Sequence, residues 1–219
     1  MREIKSYVLR QGRMTPSQKL SLEKLLPILG ISFSNDHLDP KEIFGRVAPL
    51  VLEIGSGMGE TTAEIARAHP DTDFIAIEVH GPGIGSLLKK IEGLELKNLR
   101  VIRHDAVEVL QQMVPDGALA GLHLFFPDPW PKKRHHKRRL VQASFAALAA
   151  RKLAPGGYIH AATDWPEYAE QIDEVFSSSS EFEKNEQEER KGRPVTKFER
   201  RGIGLGHPVR DLLFLRRQE

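Results

Sequence analysis

The segment Phe126-Pro-Asp-Pro-Trp-Pro-Lys-Lys-Arg-His-His-Lys-Arg-Arg139 puts two kinds of chemistry side by side. Pro127, Pro129 and Pro131 each fix φ, so the turn carrying Asp128 is stiff and holds one carboxylate at a set place. The next eight positions, Lys132 to Arg139, hold six Lys or Arg and two His. Cations packed that densely suit phosphate oxygens, which supply salt-sensitive affinity and little sequence information. A solvated helix start is the ordinary reading of a charge run, yet this run abuts an apolar stretch and an acidic turn. A metal site on His135 and His136 is disfavoured, because the adjacent cations repel an ion and no Cys or carboxylate stands nearby.

A second candidate is the glycine turn Glu53-Ile-Gly-Ser-Gly-Met-Gly-Glu60. Gly55 and Gly57 permit a tight turn and close approach of a ligand to the backbone, with a helix beginning just beyond. A dinucleotide would bring an anionic pyrophosphate to that helix start. Glu53 and Glu60 flank the turn, and its spacing is G-x-G-x-G rather than G-x-G-x-x-G, so NAD fits poorly. S-adenosylmethionine has no phosphate and carries an ammonium and a sulfonium, both attracted by carboxylates. Glu78 follows Gly57 by 21 residues and is placed to accept from ribose hydroxyls. Asp105 can cap the helix after it or accept from an adenine amino group. Asp164 can likewise cap a helix or reach a substrate. Thr196-Lys-Phe-Glu199 combines a hydroxyl, a cation, an aromatic face and a carboxylate, a mix that grips a base or simply alternates along an edge strand.

These groups follow apolar runs of strand length: Leu50–Ile54, Phe74–Glu78, Leu99–Arg103, Gly121–Phe126 and Tyr158–Thr163. Helical stripes lie between and after them, among them Ile84, Leu87, Leu88 and Ile91, then Val141, Phe145 and Leu148, then Tyr168, Ile172, Val175 and Phe176. Such alternation predicts right-handed crossovers and a parallel sheet covered on both faces, with ligands at the carboxyl ends of the strands. Val195–Arg200 and Asp211–Arg216, with no helical stretch between them, are expected to form an antiparallel pair at the sheet edge. Residues 1–49 read as an extension with a helical patch near Leu20–Leu29, and 50–219 as the main domain.

At 219 residues the chain suits one domain with a true core. Its hydrophobic fraction of 40% and charged fraction of 28% are ordinary for a globular protein. There is no apolar stretch of membrane-spanning length and no cysteine, so the cytoplasm is the expected location. The net charge of +2 says nothing of nucleic acid by itself. The acidic stretch from Glu181 to Glu189, five glutamates in nine residues, reads as a solvated face.

Taken together, the motifs resemble those of the bacterial tRNA (guanine-N7)-methyltransferases, which modify a guanine in the tRNA variable loop. The matching pieces are Arg10-Gln-Gly-Arg-Met-Thr15, Leu52-Glu-Ile-Gly-Ser-Gly57, Ile77-Glu-Val79, Asp105-Ala106, Phe126-Pro-Asp-Pro-Trp-Pro-Lys-Lys-Arg-His135, Leu153-Ala-Pro-Gly-Gly157, Thr163-Asp-Trp165 and Thr196-Lys-Phe-Glu199. The resemblance implies a Rossmann-like class I methyltransferase fold: a mostly parallel seven-stranded sheet with an antiparallel edge strand and helices on both faces. It implies a cofactor site at Glu53, Gly55, Gly57, Glu78, Asp105 and Asp128. Lys132, Asp164, Thr196, Lys197, Phe198 and Glu199 would hold the guanine. Arg134, His135, His136, Lys137, Arg138 and Arg139 would meet the tRNA backbone. Asp128 takes the catalytic role, stabilising the positive charge that the purine acquires, and Trp130 or Phe198 could stack on the base. Two other readings stay open: an amino-methyltransferase acting on adenine or cytosine, and an inactive RNA-binding module. In the former enzymes the turn usually ends in an aromatic after two prolines, whereas Trp130 lies between Pro129 and Pro131.

Overall fold

In the computed structural model, which describes residues 5–8, 12–186, 192–195, 199 and 209–218, the chain enters through helices α1 (Pro16–Leu29) and α2 (Pro40–Phe44). It then alternates through β1 (Leu50–Ile54), α3 (Glu60–Ala68), β2 (Asp73–Ile77), α4 (Gly81–Gly93), β3 (Leu99–Ile102), α5 (Ala106–Gln112), β4 (Leu119–Phe125), α6 (Ala143–Lys152) and β5 (Leu153–Thr163). Helix α7 (Pro166–Ser177) and strands β6 (Phe182–Lys184) and β7 (Arg210–Arg216) complete the described elements. Glu78 and Phe126, read as strand residues in the sequence, fall just past the ends of β2 and β4, so both stand in the turns where ligands bind.

The seven strands form one sheet in the order β3-β2-β1-β4-β5-β7-β6. The first five run parallel. The chain moves outward from β1 to β3 and returns to β4, so strand order reverses between β1 and β4, whose register pairs Glu53 with His123. Alternate strand residues supply two cores. Leu50 and Leu52 face α5, α6 and α7, whereas Val51 and Phe74 face α3 and α4. Burial on both faces is why these strands read as continuous apolar runs.

The C-terminal strand differs from expectation in its partners. Strand β7 lies inside the sheet, antiparallel to both β5 and β6, and does not pair with 195–200. Val195 is outside any strand and Glu199 is helical, while 196–198 and 200 lie outside the described residues. Leu212, Leu213 and Phe214 are all buried, and a run covered on both faces gains from neighbours on both edges. The edge falls instead to the short, charged Phe182-Glu-Lys184, a sequence that discourages further pairing. That strand also corrects the reading of the acidic stretch as wholly solvated. Phe182 is buried edge-on against Phe176, their centroids 5.2 Å apart.

Residues 16–49 are built into the same body. A capping box closes α1, with Thr15 Oγ1 accepting from Gln18 N and the Gln18 side chain accepting from Thr15 N. This helix crosses α4 so closely that a Cβ on Gly85 would stand 2.5 Å from Gln18 O. Ile31 N then donates to Val101 O, covering the β3 edge. Among the described residues no helix is long and apolar enough to cross a membrane, and no group of three or more His, Cys, Asp or Glu is placed to hold a metal ion.

Candidate active site

The turn after β1 is left-handed at Gly55 (φ 76°) and Gly57 (φ 55°), a conformation costly for other residues. No atom lies within 4 Å of where a Cβ would stand at either position, so the turn forms an open cradle. Glu78 fixes that cradle. Its Oε2 accepts from Gly57 N at 2.8 Å, and its Oε1 accepts from Val79 N at 2.7 Å and His80 N at 2.9 Å. One buried carboxylate thereby ties the β1 turn to the β2 turn, and its oxygens retain lone pairs toward the cradle. Ser56 Oγ, in the middle of the turn, is buried without a protein partner.

Glu53 ends the buried part of β1 with 4% of its surface exposed. Burial pushes its carboxyl up to about 7; the Glu78 charge adds to the rise, and the Thr62 hydroxyl opposes it. A carboxyl raised this far is part neutral near pH 7, and a cation beside it would favour the ionised form. The open cradle, the unpartnered Ser56 hydroxyl and the two acidic side chains fit S-adenosylmethionine, which brings polar groups and positive charge without phosphate.

The turn after β4 holds Asp128 as its prolines predicted, and more tightly. Phe126 (φ 53°) and Trp130 (φ 45°) are both left-handed, strained positions that persist only where surroundings dictate them. Phe126 N donates to Ala162 O at 2.7 Å, Arg139 Nε donates to Pro129 O at 2.7 Å, and Trp130 Nε1 donates to Ser6 O at 3.0 Å. Asp128 itself is exposed. It stands where two cavities meet. One, of 210 Å³, lies between Gly55, Glu78 and Phe125, with Ser6 and Tyr7 against one side. The other, of 320 Å³, is walled by Val8, Pro129, Trp130 and Pro131. Asp128 and His80 belong to both.

The basic octet does not act as one surface. Lys133, Arg134 and Lys137 are exposed on a 3-10 turn spanning Lys133–Arg138, and Lys132 is exposed just before it. Arg139 is an exception to the expected backbone contact: it is 3% exposed and faces inward, donating to Pro129 O and to Gln171 Oε1 over the Tyr168 ring. Arg138 also turns inward, stacking 4.0 Å from the Trp130 centroid and donating to Lys5 O and Tyr7 O. That stacking covers one face of Trp130. His135 meets Trp130 edge-on, and partial desolvation, with Arg134 and Lys132 nearby, holds its pKa below the ordinary value.

Asp105 caps α5, accepting from Val107 N at 2.8 Å, and its other oxygen lies 3.1 Å from Lys5 Nζ. Asp164 is exposed at the end of β5 and does not cap α7, whose cap is Trp165 without a side-chain bond. Thr196, Lys197 and Phe198 lie outside the described residues. Glu199 is 2% exposed and forms a paired bridge to Arg193 at 2.9 and 3.2 Å, so its carboxylate faces the protein. Arg193 also binds Asp211, which accepts from His160, and its guanidinium lies over Phe125 and Phe126. The sequence reading missed His80, Ser56, Arg193 and the segment Lys5–Val8. Of these His80 had a signal, since it directly follows Glu78-Val79 at the carboxyl end of a strand.

A family model described as a putative methyltransferase matches residues 47–212. The tRNA (guanine-N(7)-)-methyltransferase of Nitrosospira multiformis is 56% identical over 220 residues, covering 99% of this chain and 96% of that protein. The same-named protein of Neisseria meningitidis is 54% identical over 218 residues, covering 98% and 92%. Among solved structures, the 16S rRNA methyltransferase KamB superposes with a TM-score of 0.55 at 17% identity, over 81% of this chain and 92% of that one. The antibiotic-resistance methyltransferase Kmr gives 0.55 at 18% identity, over 86% and 95%. These two share the fold. The chain belongs to the tRNA (guanine-N(7)-)-methyltransferase family.

Proposed function

We propose that the protein transfers the methyl group of S-adenosylmethionine to N7 of a guanine in tRNA, with the variable loop as the target region. The observation that carries the reading is the junction of two cavities at Asp128, one opening on the glycine cradle and the other walled by the proline turn. S-adenosylmethionine supplies an electrophilic methyl on its sulfonium. Glu53, Ser56 and Glu78, with the backbone of Gly55 and Gly57, are the groups that would hold it. Asp105, already capping α5 and paired with Lys5, would face its adenine.

Guanine N7 presents an unprotonated lone pair, so the chain needs no strong base. Its first task is alignment, and the braced turn at Phe126–Trp130 serves that. As N7 takes the methyl, the purine becomes cationic, and a fixed carboxylate at Asp128 stabilises that charge. Lys132, Lys133, Arg134 and Lys137 meet tRNA phosphates, while Arg138 and Arg139 brace the turn behind them. Asp164, Thr196, Lys197 and Phe198 are proposed to hold the guanine. Glu199, buried and paired with Arg193, is not counted among them. Incubation with unmodified tRNA, followed by chain cleavage at N7-methylguanosine, tests the reading: a single cut in the variable loop supports it, and uncut tRNA or label on an exocyclic amine overturns it.

A further inference from the structure

Arg193 is 3% exposed, and its charge is held by two carboxylates at once. Its Nε and Nη2 each donate to Asp211 at 2.7 Å, while its Nη1 and Nη2 donate to Glu199 at 2.9 and 3.2 Å. The guanidinium carbon also lies over Phe125 and Phe126, 5.7 and 5.4 Å from the ring centroids. A buried ion cluster is weak evidence for stability, because well-packed apolar residues serve as well without the cost of desolvation. What it supplies is placement: a planar fork with a carboxylate on each side has one orientation.

That orientation bears on the turn that carries Asp128. One row of the sheet runs from Phe125 on β4 through Ala162 on β5 to Asp211 on β7. Arg193 lies along this row, tied to Asp211 and set over the Phe125 ring. Phe126 comes next, where the chain leaves β4. Its φ of 53° is a conformation that a bulky side chain rarely adopts, and the proline after it narrows the choice further, toward extended backbone. The direction in which the chain enters Pro127 and Asp128 depends on that angle, which persists only where neighbours impose it. Ala162 O holds the backbone, accepting from Phe126 N at 2.7 Å, and Arg193 holds the ring. Arg193 lines neither of the two cavities that meet at Asp128, so its part is played through the turn.

We propose that Arg193 is a positioning residue for methyl transfer: clamped by Asp211 and Glu199, its guanidinium fixes the Phe126 ring and with it the strained entry to the turn that presents Asp128. The proposal rests on the charge-stabilising role of Asp128 given above.

Arg193→Lys keeps the charge and loses the fork. In the full-length protein, with cofactor and tRNA both saturating, its single-turnover rate should fall at least about tenfold, as small misplacements of a catalytic group do. Its dissociation constant for tRNA should stay within about twofold of wild type, and thermal melting establishes that it is folded at the assay temperature. Added to Asp128→Asn, the same substitution should slow methylation no more than about twofold further, because the group it positions is already gone. If Arg193→Lys is unfolded at that temperature, Phe126→Leu, which leaves the ion cluster whole, takes its place with the same expected loss and the same lack of additivity. A folded variant with the wild-type rate, or losses that multiply in the double variant, would overturn the proposal. Methylation by Asp128→Asn at the wild-type rate would instead remove the role on which the proposal rests, and it would do so with Arg193 unchanged.

Discussion

Moving the ligand-free protein from about pH 5 to about pH 8 should weaken it through Glu53. Its carboxyl lies at about 7 in the fold against 4.5 without it, chiefly because burial disfavours the charged form. A folded pKa above the unfolded one contributes stability that is complete below about pH 4.5 and is lost as pH rises through about 7. At about 1.4 kcal/mol for each tenfold difference in proton affinity, the loss over this pH range is about 2 to 3 kcal/mol. Glu53→Gln keeps the shape and stays neutral, so it should not share the loss. Urea unfolding of both proteins across the pH range isolates Glu53 in the difference between them. Cofactor binding should show the converse: the cationic ligand favours ionised Glu53, so affinity rises with pH and levels off above about 7, with proton release below it. A stability difference that stays flat over the range would refute a buried, neutral Glu53.

Asp128→Asn should keep the melting temperature while lowering kcat on tRNA at saturating cofactor by about 10²-fold or more, the usual cost of one charge-stabilising group; single-turnover kinetics read this directly. Arg139→Met should destabilise the protein by about 2 to 4 kcal/mol, because Pro129 O and Gln171 lose a buried donor. Lys133→Ala or Lys137→Ala should instead leave stability unchanged and reduce the slope of log affinity for tRNA against log salt by about 0.7 to 1. Arg193→Met strands two buried carboxylates, Glu199 and Asp211, and should cost about 3 to 5 kcal/mol by thermal or chemical unfolding. For Asp211, burial alone would raise the pKa, but hydrogen bonds from Arg193 and His160 outweigh it and hold the carboxyl below its usual range. The support that follows is present above the ordinary carboxylate pKa and disappears as pH falls through the lower folded value, so Arg193→Met should lose less stability in acid than wild type.

The parts of the site legible in sequence are those whose chemistry is local. Gly55 and Gly57 announce a turn by lacking side chains, three prolines announce a stiff loop at Asp128, and apolar runs with helical stripes between them announce the sheet. What stayed hidden depends on partners distant in sequence. Nothing in Lys132–Arg139 shows that Arg139 turns inward, because its partner Gln171 and the ring beneath it, Tyr168, come from α7. Phe182 is one apolar residue among glutamates, too little to mark a strand until Phe176 and the β7 edge receive it. Segment Lys5–Val8 has no periodicity at all, yet Arg138 and Trp130 bind its carbonyls beside the cavity at the glycine cradle.

Asp128, set between the two cavities, is proposed to serve methyl transfer to guanine N7. Unmodified tRNA incubated with methyl-labelled S-adenosylmethionine and the protein, then digested to nucleosides and resolved by mass spectrometry, tests it most directly. N7-methylguanosine is the expected labelled product, formed by wild type and scarcely by Asp128→Asn. Label on adenosine or cytidine, or equal yields from the two proteins, would contradict it.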